Sequence, residues 1–270
     1  MYLTDLHTHS ILSMDGHVPL SEMAQAAVDA GISALTITDH YDMLTEDGQR
    51  NLSYDWAPAL AQFAQTAPLF RDRLTLHLGI ELGEAFVDPQ RAQEILAQAG
   101  DALDQVIGSI HNFREEEGGG EYFFADFRDP AFCRAALDGY FTSMEEIVAA
   151  PACYDVLGHI IYPLRYMHRD GHDFNLMDNY RDRLAEILRN VIKMGRSIEV
   201  NTCRGNTVQD WRDILLLYRD LGGTLVTTGS DAHFPADVGK GLRESCALLK
   251  SCGFDRVVVY ARRKPEFKEI

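Results

Sequence analysis

The chain has no run of 18 apolar residues, few basic side chains and only five scattered cysteines, and each shortage removes a class of protein. Without a long apolar stretch there is no helical segment to span a bilayer. The N-terminus leads straight into a strand-like run, without the basic and then apolar segments of a secretory signal. Cys133, Cys153, Cys203, Cys246 and Cys252 show neither paired zinc-ligand spacing nor the density of a disulfide scaffold, so a reducing cytoplasm is expected. Lys and Arg number 25 against 41 Asp and Glu, a net charge of −16. Long-range repulsion disfavours a phosphate polymer, and no basic cluster interleaved with aromatics offers a local groove, so no nucleic acid is expected as a partner. Linkers, internal repeats and long low-complexity segments are also missing, which implies a single domain over residues 1–270. The one biased stretch, Arg114 to Glu121, looks too polar to pack and is expected to form a mobile loop.

What is present is a repeating alternation. Short apolar runs at Tyr2–Leu6, Ala34–Ile37, Leu74–Ile80, Gln105–Gly108, Val156–Gly158, Ser197–Val200 and Thr224–Thr227 read as buried strands. Stretches with apolar residues at three- and four-residue spacing read as helices: Ser21–Ala30, Trp56–Thr66, Ala92–Ala99, Ala131–Ala149, Asn179–Met194, Gln209–Leu221 and Leu242–Cys252. Seven strand-helix units in strict order predict parallel strands, because a parallel return needs a crossover. A closed barrel fits better than an open sheet, since its post-strand loops all converge on one face.

Every strand is followed by polar groups. In order these are His7 and His9, His40, Glu81, His111, His159, Asn201 with Arg204, and Asp231 with His233. Imidazoles and carboxylates are the usual ligands of zinc, manganese and iron, and several backbone segments delivering them to one place predict a metal centre. Arg165, six residues beyond His159, and Arg204 lie in post-strand loops, where a guanidinium fork could bind phosphate. His77 reads as a hydrogen-bonded packing residue, His168 and His172 as exposed loop residues, and Asp5 and Asp39 as groups that orient histidines or cap turns.

The motifs His7-Thr8-His9-Ser10, Thr38-Asp39-His40, Gly79-Ile80-Glu81, Gly108-Ser109-Ile110-His111, Gly158-His159 and Gly229-Ser230-Asp231-Ala232-His233 resemble, in order, those of the polymerase and histidinol phosphatase (PHP) superfamily. The similarity runs from Asp5 to about Lys240 and is strongest to its monofunctional histidinol phosphatases. The resemblance implies a distorted (β/α)7 barrel with three divalent metal ions (Zn, Mn or Fe) at the C-terminal ends of the strands. By motif, His7, His9, Glu81 and Asp231 would hold one ion; Glu81, His111 and His159 a second; Asp15, His40 and His233 a third. Many relatives carry histidine where Asp15 stands, and His17 is the substitute ligand or a substrate contact. Three divalent ions against three carboxylates leave a site charge of about +3, suited to a phosphate dianion.

The implied activity is hydrolysis of L-histidinol phosphate to L-histidinol and phosphate, in histidine biosynthesis, by attack of a metal-bridging hydroxide. Asp231 would accept the proton, and Arg165 and Arg204 would neutralise the phosphoryl oxygens. Another small phosphate ester or a nucleotide is the alternative substrate. An amidohydrolase is disfavoured because no lysine stands where its carbamylated ligand would, and a non-catalytic metal-binding module would bind metal without turnover.

Overall fold

The computed structural model describes residues 1–150 and 153–270. The strands are β1 (Thr4–Thr8), β2 (Ala34–Ile37), β3 (His40–Asp42), β4 (Thr75–Gly83), β5 (Gln105–Ser109), β6 (Val156–Leu157), β7 (Ser197–Asn201), β8 (Val226–Gly229), β9 (Arg256–Ala261) and β10 (Lys264–Glu269). The helices are α1 (Leu20–Asp29), α2 (Ala57–Phe70), α3 (Pro89–Ala99), α4 (Pro130–Ala149), α5 (Tyr162–Arg169), α6 (Leu176–Asn179), α7 (Arg181–Lys193), α8 (Arg212–Asp220) and α9 (Leu242–Ser251).

Seven parallel strands pair in the order β1-β2-β4-β5-β6-β7-β8, with β3 against β4. The two ends of the sheet meet through backbone bonds from Asp231 to His7 (2.9 Å) and from His9 to Ala232 (2.9 Å). This nearly closes the barrel that the alternation predicts. Its strands are short and apolar because helices cover them outside. Local chemistry sets several helix starts. Asp88 and Asp129 accept hydrogen bonds from Arg91 and Ala131, with Pro89 and Pro130 at the first helical positions, as capping favours. Helix α1 stops before Gly31, whose φ of +72° suits glycine.

Several elements depart from expectation, the short strand β3 among them. Residues 162–169 form α5, so Arg165 sits on a helix rather than in a loop. The expected helix Asn179–Met194 starts at Arg181 as α7, and a separate turn, α6, precedes it. The hairpin β9–β10 closes the end of the barrel where the strands begin: Tyr260 bonds Ser197 at 2.7 Å, and Val258 packs with Val156 and Ile107. The segment 114–121 is anchored at several points, although Glu115 to Gly118 remain exposed. Arg50 pairs with Glu115 at 3.1 Å, Asn112 donates to Gly119 and Thr45, and Gly119 lies against the backbone of Gly48. Among the described residues, no helix is long and apolar enough to cross a membrane.

Candidate metal centre

The post-strand segments converge where the parallel ladder ends. Glu81, on β4, is 1% exposed and surrounded by imidazoles. Its Oε2 lies 2.8 Å from His7 Nε2, 3.4 Å from His9 and 3.3 Å from His40. Its Oε1 lies 3.1 Å from His111 and 2.7 Å from His159, and accepts a hydrogen bond from Ser109 at 2.6 Å. Asp231 completes this floor, 3.5 Å from His9 and 3.8 Å from His7.

The loop 10–18 is folded tightly enough that a Cβ on Gly16 would collide with the Ser10 carbonyl. It delivers Asp15 to within 2.7 Å of His233 and 3.8 Å of His40. His17 points elsewhere and stacks on Phe234 at 4.0 Å between centroids. All nine sequence-predicted ligands thus meet in one place, with His17 outside the cluster. Their grouping differs from the motif-based sets: His9 lies close to Asp15, His40 and His233 as well as to His7 and Glu81, and His40 also joins Glu81 and His111.

These residues fit cations. Within each of those three groups the ligand atoms lie within 4.8 Å of one another. His9 Nε2, His40 Nδ1 and His233 Nε2 are buried and, despite nearby carboxylates, make no hydrogen bond among the described residues. Buried polar atoms are normally satisfied, so nitrogens aimed at a shared space without a well-aligned hydrogen bond call for a ligand there.

The electrostatics agree. Burial pushes the Glu81 carboxyl up, but His7, His40 and His111 more than offset this and hold it well below the ordinary carboxylate value. Burial likewise opposes ionisation of Asp231, and His7 and Arg165 overcome it. Burial disfavours charge on His7 and His111, yet Glu199 and Glu81 for the first, and Asp42 and Glu81 for the second, raise both well above the usual imidazole value. His9, lowered by burial and by His233 and His40, falls to about 3. A cation bound among these imidazoles would compete with protons for their ring nitrogens.

The cluster forms the floor of a cavity of about 650 Å³ whose wall includes Arg165, Arg204, Tyr162, Tyr166, Phe123, Phe124, Glu46 and Glu121. Arg165 is fixed by Asp231 at 2.9 Å and Asn201 at 2.6 Å, and lies over the Tyr162 ring at 5.1 Å. Cys203, Arg204 and Asp231 all have left-handed φ values, of +44°, +58° and +60°. Backbone strain of this kind costs about 1–3 kcal/mol per residue and collects at functional sites.

The remaining sequence readings sort plainly. His77 bonds Asp104 at 3.3 Å, as a packing residue would. Asp39 and Asp5 each hold a serine next to the site, Ser10 and Ser230, through backbone and hydroxyl together. His168 reaches the cavity wall, while His172 bonds the Arg128 carbonyl instead. Sequence reasoning missed Glu199, Asp42 and Ser13, which contact His7, His111 and His9 from behind at 2.7, 3.1 and 2.9 Å. Only an inward position on a strand or loop marks them.

The geometry at the loop makes a direct prediction. Asp15→Ala should lower bound metal while His17→Ala leaves it unchanged, read by elemental analysis of dialysed protein. The opposite pattern would make His17 the ligand.

The sequence matches the family described as PHP domain over residues 5–203. It is 24% identical over 266 residues to a histidinol-phosphatase of Lactococcus lactis subsp. lactis, covering 96% of this chain and 95% of that one. It is 27% identical over 270 residues to a probable histidinol-phosphatase of Thermotoga maritima, covering 97% of each. Its fold matches the crystal structure of histidinol phosphate phosphatase from Lactococcus lactis subsp. lactis, complexed with zinc, L-histidinol and phosphate. The TM-score is 0.83, at 24% identity and 98% coverage of both chains.

Proposed function

Because this chain belongs to the PHP domain family, we propose that it is a metal-dependent phosphomonoesterase that hydrolyses L-histidinol phosphate to L-histidinol and phosphate. The observation that carries the reading is the convergence of nine candidate nitrogen and carboxylate ligands, seven of them lining one cavity together with Arg165 and His7 and His9 buried beside it. Relatives similar over nearly their whole length and named histidinol-phosphatases support the substrate.

His7, His9, Asp15, His40, Glu81, His111, His159, Asp231 and His233 would hold three divalent cations, zinc, manganese or iron. Bound there, the metals supply an acidified water and Lewis-acid neutralisation of phosphoryl oxygens. The chain's own groups do the rest. Arg165 and Arg204 present guanidinium donors to the phosphate, Arg165 already oriented by Asp231 and Asn201. Asp231 is an ionised acceptor whose low pKa makes it a weak base, adequate for a proton from water that is already acidified. Glu46 and Glu121 line the same cavity and complement an amine. Within the acidic loop, Glu115 and Glu116 are instead paired with Arg50 and Arg114. Phe123, Phe124 and the His17–Phe234 pair offer flat apolar surfaces to an imidazole ring.

Among the described residues no lysine lines the cavity, which weighs against carbamylated-lysine amidohydrolase chemistry. The five cysteines, all buried, are consistent with a cytoplasmic setting. The test is phosphate release from a panel of phosphomonoesters, with metal content measured on the same sample. Two to three equivalents of first-row metal and loss of activity to chelators are expected. One equivalent or less in a fully active sample would remove the trinuclear assignment. No phosphate release from any ester would favour a non-catalytic metal-binding protein.

A further inference from the structure

Glu199 lies behind the metal-facing side chains and is no part of the cavity wall. We propose that Glu199 is a positioning residue that sets two ligands, His7 and His159, in the orientation metal binding requires; this rests on the metal-dependent reading above. It stands on β7 at 1% exposure. Its Oε1 accepts from His7 Nδ1 at 2.7 Å, which fixes the tautomer and turns Nε2 towards Glu81 at 2.8 Å. Its Oε2 accepts from the backbone N–H of His159 at 2.9 Å. One carboxylate therefore ties a ligand delivered by β1 to the segment that follows β6.

An ionised carboxylate is the side chain this place needs. Three donors point at it, since Asn201 Nδ2 adds a bond to Oε1 at 3.2 Å, and only a carboxylate accepts at both oxygens without offering a donor of its own. The neighbouring strand leaves room for it. A Cβ on Gly229 of β8 would lie 2.5 Å from Glu199 Oε1 and 2.4 Å from His7 Cβ.

The other buried imidazoles are held less firmly. Ser13 backs His9 with a hydroxyl at 2.9 Å, Asp42 backs His111 at 3.1 Å, and His159 Nδ1 makes no hydrogen bond among the described residues. Glu199 makes the shortest of these contacts, and its second oxygen steadies the unbacked histidine through its backbone. Such outer partners typically change metal affinity by about 10–100-fold.

The experiment titrates zinc into metal-stripped wild type, Glu199→Gln, Glu199→Asp, His7→Ala and the double variant His7→Ala/Glu199→Gln against a competing chromogenic chelator. The metal-free melting temperature and hydrolysis rate are read on the same samples. Glutamine keeps the volume but leaves one donor facing an amide N–H₂, and aspartate keeps the charge but withdraws it from His7. Both are expected to weaken zinc binding, glutamine by about 10–100-fold, with kcat returning towards wild type at saturating zinc. In the His7→Ala background, Glu199→Gln should add much less, because its principal target is gone.

Zinc isotherms of both Glu199 variants superimposing on wild type would overturn the inference. So would a penalty undiminished in the His7→Ala background, or an activity loss that saturating zinc leaves in place. Should glutamine fold poorly, as its melting temperature would report, the aspartate variant carries the test. Zinc failing to bind wild type would overturn the metal-dependent reading as well, whereas equal binding by wild type and variants overturns this inference alone.

Discussion

Glu81→Ala should abolish turnover and empty two metal positions at once. One carboxylate lies within 3.4 Å of His7, His9, His40, His111 and His159, with one oxygen facing each side of the cluster. A neutral imidazole cannot bridge in this way, and no other carboxylate among the described residues comes as close to imidazoles on both sides: Asp42 lies 3.1 Å from His111 but 3.9 Å from His40. Removing it leaves five clustered imidazoles without their shared counter-charge, so cations bind more weakly on both sides. The expected fall in kcat/KM is at least about 10³-fold, beyond the 10–100-fold typical of losing an outer partner. Metal content should drop by two equivalents together, while Glu81→Gln should lose metal but melt closer to wild type because it preserves the packing. Loss of a single equivalent, or near-normal activity at full metal loading, would show that Glu81 does not bridge.

The candidate ligands were legible because a barrel of parallel strands places the residue just past each apolar run on a common face, and a histidine or glutamate there conflicts with packing. His40, Glu81, His111 and His159 all announce themselves in this way, and the left-handed Asp231 follows β8 by the same logic. What stayed hidden depends on partners distant in sequence or on short elements. Helix α5 has eight residues and begins Tyr162-Pro163, too brief for a periodic signal, so Arg165 reads as a loop residue. The segment 114–121 looks unstructured because its order comes from Arg50 and the Gly48 backbone, more than 60 residues earlier. The hairpin β9–β10 has one exposed, charge-rich strand, and its role as a plug appears only once the barrel has an open end to fill. Glu199 sits inside a strand, where sequence alone gives no reason to separate it from a stray buried carboxylate.

Arg165→Ala is expected to lower kcat/KM by about 10²-fold or more, or about 2 to 3 kcal/mol of transition-state stabilisation, without loss of metal. Arg204→Ala should act in the same direction. The two are not equivalent in setting. Arg165 is nearly buried, held by Asp231 and Asn201 and stacked on Tyr162, so its fork is ordered before substrate arrives. Arg204 is exposed, its one side-chain hydrogen bond among the described residues reaching the Cys203 sulfur at 3.8 Å, and it must be ordered by the phosphate itself. Preorganised donors contribute more to the transition state because they need no rearrangement during reaction. Arg165→Ala should therefore show mainly in kcat and Arg204→Ala more in KM. Arg165→Lys should recover little, because a point charge cannot bond Asp231, Asn201 and phosphate in one plane. Wild type should prefer L-histidinol phosphate to p-nitrophenyl phosphate and nucleoside monophosphates by a wide margin, since the amine and imidazole add binding energy at the far wall. Equal kcat/KM across the panel would leave a phosphatase without the histidinol assignment, and metal loss in either arginine variant would show that it supports the cluster rather than the phosphate.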